Sequence, residues 1–164
     1  MDPETGTLLF QSRNIDKANI YGLELDHSWR INDQWSTAAG LAWTKGKNKI
    51  SNESLDSIST AKAVVNINWN SSNQLWNAKL YTSYNRSKSS IDEDLFNTPA
   101  FTVVDLMLHR KLNNRSNLQL GLFNLFNQKY YNWQQVRNFD AEDPIIRSLS
   151  QPSRNFSLSY SIEI

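Results

Sequence analysis

The chain has 164 residues and a formal net charge of +1, with Lys and Arg scattered rather than clustered, which leaves no electrostatic footprint for nucleic acid. It has no Cys and only two His, His27 and His109, which excludes a disulfide framework and Cys-based zinc sites and leaves little for a His-built metal centre. Mean hydropathy is negative and no apolar run nears the ~18 residues of a membrane helix, yet barrel strands need only ~9 to 11 residues with apolar side chains at alternate positions, so a β-barrel stays open.

The first ten residues, MDPETGTLLF, carry no basic segment followed by an apolar core, so if the protein is exported its beginning is expected to lie upstream. From Lys17 to Ile31 the pattern alternates, with Tyr21, Leu23, Leu25, Trp29 and Ile31 on one face and Gly22, Glu24, Asp26, Ser28 and Arg30 on the other. Asn32 and Asp33 predict a tight turn. Gln34 to Thr44 alternates again, with Trp35, Ala39, Leu41 and Trp43 set against small residues, and completes a hairpin. Lys45 to Ser59 is polar without a period and reads as a long loop.

A second hairpin follows. Ala63, Val65, Ile67 and Trp69 share one face, Asn70 to Asn73 turn the chain, and Trp76, Ala78, Leu80, Thr82 and Tyr84 continue the apolar face. Arg86 to Pro99 is the second long polar loop. Val104, Leu106 and Leu108 then alternate with Val103, Asp105, Met107 and His109; Asn113 to Ser116 is a short turn; and Leu118, Leu120 and Leu122 open a strand that is expected to run on into LFNLFNQKYYNW. Gln128 to Ser150 is the third long segment. In the terminal strand, from Gln151, the residues Phe156, Leu158, Tyr160, Ile162 and Ile164 fall on one face, with Asn155, Ser157, Ser159, Ser161 and Glu163 on the other.

The fold class that results is all-β, an antiparallel up-and-down meander of seven strands, each paired with its sequence neighbour. Its connections alternate between short turns and long loops, as in a barrel trimmed on its periplasmic rim and elaborated on its extracellular rim. Trp29 and Trp35 flank one short turn and Trp69 and Trp76 another, all on apolar positions. A single Trp so placed packs in a soluble core more often than not, but four at matched positions favour an aromatic girdle, with Trp43 and Tyr84 in the opposite girdle. With the C-terminus on the periplasmic side, the three long loops are extracellular.

Several stretches resemble one family: the C-terminal barrel segment of TonB-dependent outer-membrane receptors, transporters for iron chelates and haem. They are ANIYGLEL at Ala18 to Leu25, Asp105 in FTVVDL, LGLFNLFNQKYY at Leu120 to Tyr131, and the terminal strand. The continuation NWQQVR at Asn132 to Arg137, followed by Gln151-Pro152-x-Arg154-Asn155-Phe156, is most similar to the branch that takes up haem or haemoglobin. Two positions depart from it: Ser153 stands where that branch usually has Gly, and Ile164 stands where such chains end in an aromatic, part of the signal read by the barrel-assembly machinery. The resemblance implies a barrel of about twenty-two strands around a plug. Residues 1–164 are then one unit, the last third of a barrel, with the plug and the N-terminal strands absent. It also implies the outer membrane of a Gram-negative bacterium, outer-membrane lipid as surroundings, and the plug, the TonB system and the assembly machinery as partners through the full receptor.

The function implied is uptake of an iron source, haem or a siderophore. The alternatives are a structural or adhesive outer-membrane β-protein without transport and a soluble secreted β-sandwich. No enzyme is expected: neither G-x-S-x-G nor H-E-x-x-H occurs, and Asp105 and His109, four residues apart on one strand face, are separated by ~13 Å. No cofactor is expected in this segment, haem or a ferric chelate being the transported ligand of the full receptor. His27, on the lipid face, and His109 both fall near the periplasmic end, away from an extracellular mouth. Tyr130, Tyr131, Trp133 and Arg137 open the third loop and are the candidates for contact with haem or a protein carrier; the competing role is girdle and loop anchoring, which the sequence favours. Glu24, Asp26, Arg30, Lys62, Lys79 and Asp105 are expected on the lumen face, free to pair with one another or with the plug.

Overall fold

A computed structural model describes residues 17–163. Seven antiparallel strands form one sheet in chain order: β1 (Ala18–Arg30), β2 (Trp35–Asn48), β3 (Lys62–Asn70), β4 (Trp76–Asn85), β5 (Phe101–Lys111), β6 (Ser116–Phe123) and β7 (Asn155–Ile162). The expected meander is present, and β1 and β7 are its edges. Ile164 lies outside the described residues.

Directly opposed residues share a face of a sheet, so the register joins the apolar positions into one surface. Leu25 lies opposite Leu41, Leu41 opposite Ala63, Ile67 opposite Leu80, Leu80 opposite Leu106, Leu106 opposite Leu122, and Leu120 opposite Leu158. Among the described residues nothing packs over this surface: Leu23, Leu25, Leu41, Phe156, Leu158 and Ile162 are all exposed. The buried hydrophobic residues are Leu55, Val103, Trp133, Val136 and Ile146, and none of them lies on it. A single sheet whose larger apolar side chains face outward is the inverse of a soluble sandwich, which interleaves two such faces.

The three short connections are each tied by an Asn side chain. Asn32 Oδ1 accepts from the backbone N–H of Gln34 and Trp35, Asn73 Oδ1 from that of Leu75, and Asn113 Oδ1 from that of Arg115. These are Asx turns, for which Asn is suited because its side chain mimics a backbone acceptor. Just inside this rim, Trp35 and Trp69 sit opposite one another with ring centroids 6.4 Å apart, and the Arg110 guanidinium lies 4.7 Å over the Trp76 ring. At the far end of the apolar surface Tyr21 meets Trp43 edge-on at 5.8 Å.

The structure differs from the sequence pattern at several places, among them the terminal strand, which begins at Asn155 rather than Gln151, the preceding Arg154 N–H being taken by Asn127. β2 runs to Asn48 rather than Thr44, pairing Ala18 with Asn48 and Tyr21 with Lys45; alternation marks a strand only where its two faces meet different solvents, and above Trp43 that contrast ends. β6 stops at Phe123 instead of running on, because Asn124 takes a left-handed conformation (φ 51°) and turns the chain. The segment after β6 is not bare loop: it holds one helical turn, α1 (Trp133–Val136), and a 3₁₀ turn at Pro144–Leu149, capped by Asn132 and Asp143 respectively.

Candidate functional site

The third long connection is fastened by a polar node between the middle of β5, the end of β6 and the start of β7. Asp105 Oδ1, on the polar face of β5, accepts the Asn124 backbone N–H at 2.8 Å. Asn124 is buried; its Nδ2 donates to the carbonyls of Gln128 and Pro152, and its Oδ1 accepts from the Gln128 N–H. Asn127, also left-handed (φ 52°), accepts the Arg154 N–H just before β7 begins. Asn tolerates this conformation better than other side-chain-bearing residues, so the segment Phe123 to Gln128 folds into a turn that aims the following chain back across the sheet. There Gln151 N–H meets the Tyr130 carbonyl, and the Tyr130 ring rests 4.6 Å from that of Phe101.

That return places a loop roof over the polar face and encloses a groove of about 420 Å³. Its floor is Lys62, Tyr81, Asn85, Val103 and Asp105, and its roof includes Tyr130, Tyr131 and Gln134. The lining mixes phenols, amides and hydroxyls, with one carboxylate and one ammonium, and the apolar surfaces of Phe101, Val103 and Trp133. Burial, and secondarily the nearby Asp105 carboxylate, raise the Tyr130 phenol above its usual range, so it stays a neutral hydrogen-bond donor. Such a surface is suited to hold a ligand by hydrogen bonds and ring contacts; among the described residues that line it, none pairs a nucleophile with an adjacent base.

The roof is held by the loops themselves. The first, residues 49–61, folds back so that Leu55 and Ile58 lie flat against Gly46: a Cβ there would meet Ile58 Cγ1 at 2.7 Å, a space only Gly leaves. Trp133 Nε1 donates to the Asp56 carbonyl at 2.7 Å, and Gln134 Nε2 to the Ser57 carbonyl and Ser59 Oγ. From the second loop, residues 86–100, Lys88 Nζ donates to the carbonyls of Leu55 and Ile58 and stands 5.0 Å over the Trp133 ring. Ser90 Oγ donates to Asp56 Oδ2. Burial lowers the Lys88 ammonium, opposed by Asp56 and assisted by Arg137.

Of the four residues singled out in the third loop, Tyr130, Tyr131 and Trp133 line the groove together. Arg137 does not; it borders a smaller cavity with Asp56, Glu53 and Ile91 on the other side of the loop junction. Trp133 is 4% exposed and its indole N–H is engaged with the first loop, so it meets the groove through its ring. The lumen-face carboxylates and cations share one face, but among the described residues the one ion pair is Arg30 with Asp33, at the surface of a short turn. Sequence reasoning missed Asn124, Asp56 and Lys88. Asn124 was visible as an Asn at the end of an apolar run; the other two carry no local signal, since their partners lie 30 to 77 positions away.

The model of the TonB-dependent receptor-like β-barrel family matches residues 1–125. A haemoglobin and haemoglobin-haptoglobin-binding protein of Haemophilus ducreyi is 24% identical over 95% of this chain, and a probable protein of the same description from Haemophilus influenzae is 23% identical over 94%. The chain spans only 20% and 18% of their lengths. Among solved structures, the copper transporter OprC matches 90% of the chain with a TM-score of 0.73 at 21% identity, over 24% of its own chain. The ferric enterobactin receptor PfeA of Pseudomonas aeruginosa matches 91% with a TM-score of 0.71 at 16% identity, over 23% of its own chain. At these identities the solved structures speak for the fold.

Proposed function

Because this chain belongs to the TonB-dependent receptor β-barrel family, whose members lie in the outer membrane of Gram-negative bacteria, we propose that it is the C-terminal seven strands of a receptor that takes up an iron source, with haem or haemoglobin-borne haem as the ligand. The apolar surface then faces lipid, the Asn-tied turns face the periplasm, and the loop-roofed groove lies at the extracellular end of the lumen. The family is one of transport receptors, not an enzyme class. The plug and the TonB system act through the complete receptor, and the assembly machinery inserts it.

The observation that carries this reading is the pairing of an uncovered apolar face with a loop-roofed groove, lined by both polar and aromatic side chains, on the opposite face, a division of labour that a soluble sandwich has no use for. Within the groove, Tyr130 and Tyr131 are the proposed ligand contacts, while Trp133 holds the loop that carries them through its bond to the Asp56 carbonyl and Arg137 lies outside the groove. The haemoglobin-binding description of the two curated relatives supports haem. The groove's own chemistry supports a second ligand class: among the described residues its lining holds no His, and phenols and amides suit an oxygen-ligated ferric chelate equally well.

The test is growth on a single iron source by a host lacking its own receptors and carrying the complete gene. Growth on haem or haemoglobin, reduced by the Tyr130→Ala/Tyr131→Ala pair at unchanged receptor level, is expected. Growth on a ferric siderophore alone would select the second ligand. Growth on neither would leave the structural or adhesive alternative.

A further inference from the structure

We infer that the three long loops form one cooperative cap that leaves the groove as a unit rather than loop by loop. The inference takes its purpose from the receptor reading above, but its mechanics stand on contacts alone. The first and third loops are joined by Trp133 to Asp56 and by Gln134 to Ser57 and Ser59. The first and second are joined by Lys88 to Leu55 and Ile58 and by Ser90 to Asp56. The second and third are joined by Phe96 N–H to the Phe139 carbonyl and Ala141 N–H to the Asp94 carbonyl, both 2.9 Å, flanking the bridge between Leu95 and Asp140. This is a closed triangle. No loop can leave without breaking bonds to both of the others, so partial release keeps most of the cost and little of the freed chain entropy.

The junction also carries unmet polar groups. Asp56 Oδ1 and Arg137 Nε are buried there without a hydrogen-bond partner, and an unmet buried polar group costs free energy that release to water returns. Lys88 is partly desolvated at the same place. The residues that fasten the cap are moreover residues of the groove: Trp133, Gln134 and Ser59 line its roof. Release therefore opens the groove as it undoes the junction.

The experiment is hydrogen exchange by mass spectrometry on the complete receptor in detergent, without ligand. Gln134→Ala removes two bonds between the third and first loops and touches nothing in the second. Exchange is expected to quicken roughly five- to thirtyfold, the equilibrium worth of one to two neutral hydrogen bonds, in residues 49–61, 86–100 and 128–150 alike, while β3 to β5 keep their rates. A change confined to residues 49–61, or none, would overturn the inference. In the converse arm, Ser59→Cys and Gln134→Cys, whose parent side chains meet at 3.1 Å, are joined by a short cleavable bis-maleimide. Slower exchange in residues 86–100, which the link does not touch, is expected; unchanged exchange there would again overturn it. Iron uptake by the linked receptor then addresses the receptor reading separately: loss of uptake, regained on cleavage, supports it. Full uptake through a linked cap that exchanges cooperatively would count against that reading while the single cap stands.

Discussion

On the wall, away from the sheet's open edges, Leu41 is 42% exposed and Val65 43%; in the loop cluster Trp133 is 4% exposed and Val136 fully buried. The same kinds of residue thus meet opposite fates within one chain. The strands leave their apolar face for an outside solvent to cover, and the lipid of the outer membrane supplies it. The loops, bathed in water, bury their own apolar residues against one another and against the polar face of the sheet, helped by an inward-turned Val103. What the difference teaches is that the wall's stability is borrowed from the bilayer while the cap's is internal, so the two can be damaged independently.

The largest effect that separates them is a charge on the wall. Leu80→Arg lies between Ile67 and Leu106 in the register, and in the complete receptor it should cost about 2 to 4 kcal/mol of folding into lipid vesicles, whereas Ser159→Arg, on the polar face, should cost little. Urea titration in vesicles measures both. Equal costs at the two positions would contradict the assignment of faces.

A smaller effect is expected where wall and cap meet. Asn124→Ala strands the carbonyls of Gln128 and Pro152 and the N–H of Gln128 and forces Ala into a left-handed conformation. The cost should be roughly 1 to 3 kcal/mol, visible as a lower unfolding midpoint with insertion intact. Unchanged stability would mean that the node is ornamental and that the third loop is held by its docking alone.

The same contrast explains what the sequence disclosed. A strand between lipid and a wet lumen must alternate, and a short turn must carry an Asx-type residue, so the seven strands, their neighbours, their faces and the turns at Asn32, Asn73 and Asn113 are all written locally. The length of β2 was not, since Lys45 and Lys47 rise past Trp43 into surroundings that no longer distinguish the faces. The cap was hidden for a different reason. Trp133 is recognisable as a large aromatic at a loop start, but its partner Asp56 belongs to a polar run in which every residue looks solvated. That run becomes structured only because β1 to β7 bring three rims together. Tyr130 and Tyr131 were legible as candidates because they are aromatics that open the third loop; Lys88, in a stretch of Ser and Arg, was not.

The smallest effect sharpens the comparison by acting on the cap alone. Lys88 has its docked-state pKa lowered from 10.5 by burial, against the pull of Asp56 and with the push of Arg137. Near neutral pH it is charged whether docked or released, so docking carries the full desolvation cost. As pH rises through the docked-state value toward 10.5 the docked form sheds its proton first, the released form holds more protons, and docking strengthens. Tyr130 has the opposite sign: burial, then Asp105, raise it above 10.0. Its docking is unimpaired below pH 10.0 and weakens as pH climbs from there through the raised value, because only the released phenol ionises. Protection of residues 49–61 from exchange should therefore rise with pH up to about 10.0 and then level or fall. Taking the ratio to Lys88→Met at each pH cancels the intrinsic pH dependence of exchange, and Met keeps an unbranched side chain over the Trp133 ring. The ratio should grow in favour of the native chain between neutral pH and 10, while Leu80 and its neighbours on the wall show no such trend. A flat ratio would show that Lys88 is as well solvated in the docked cap as in the released one.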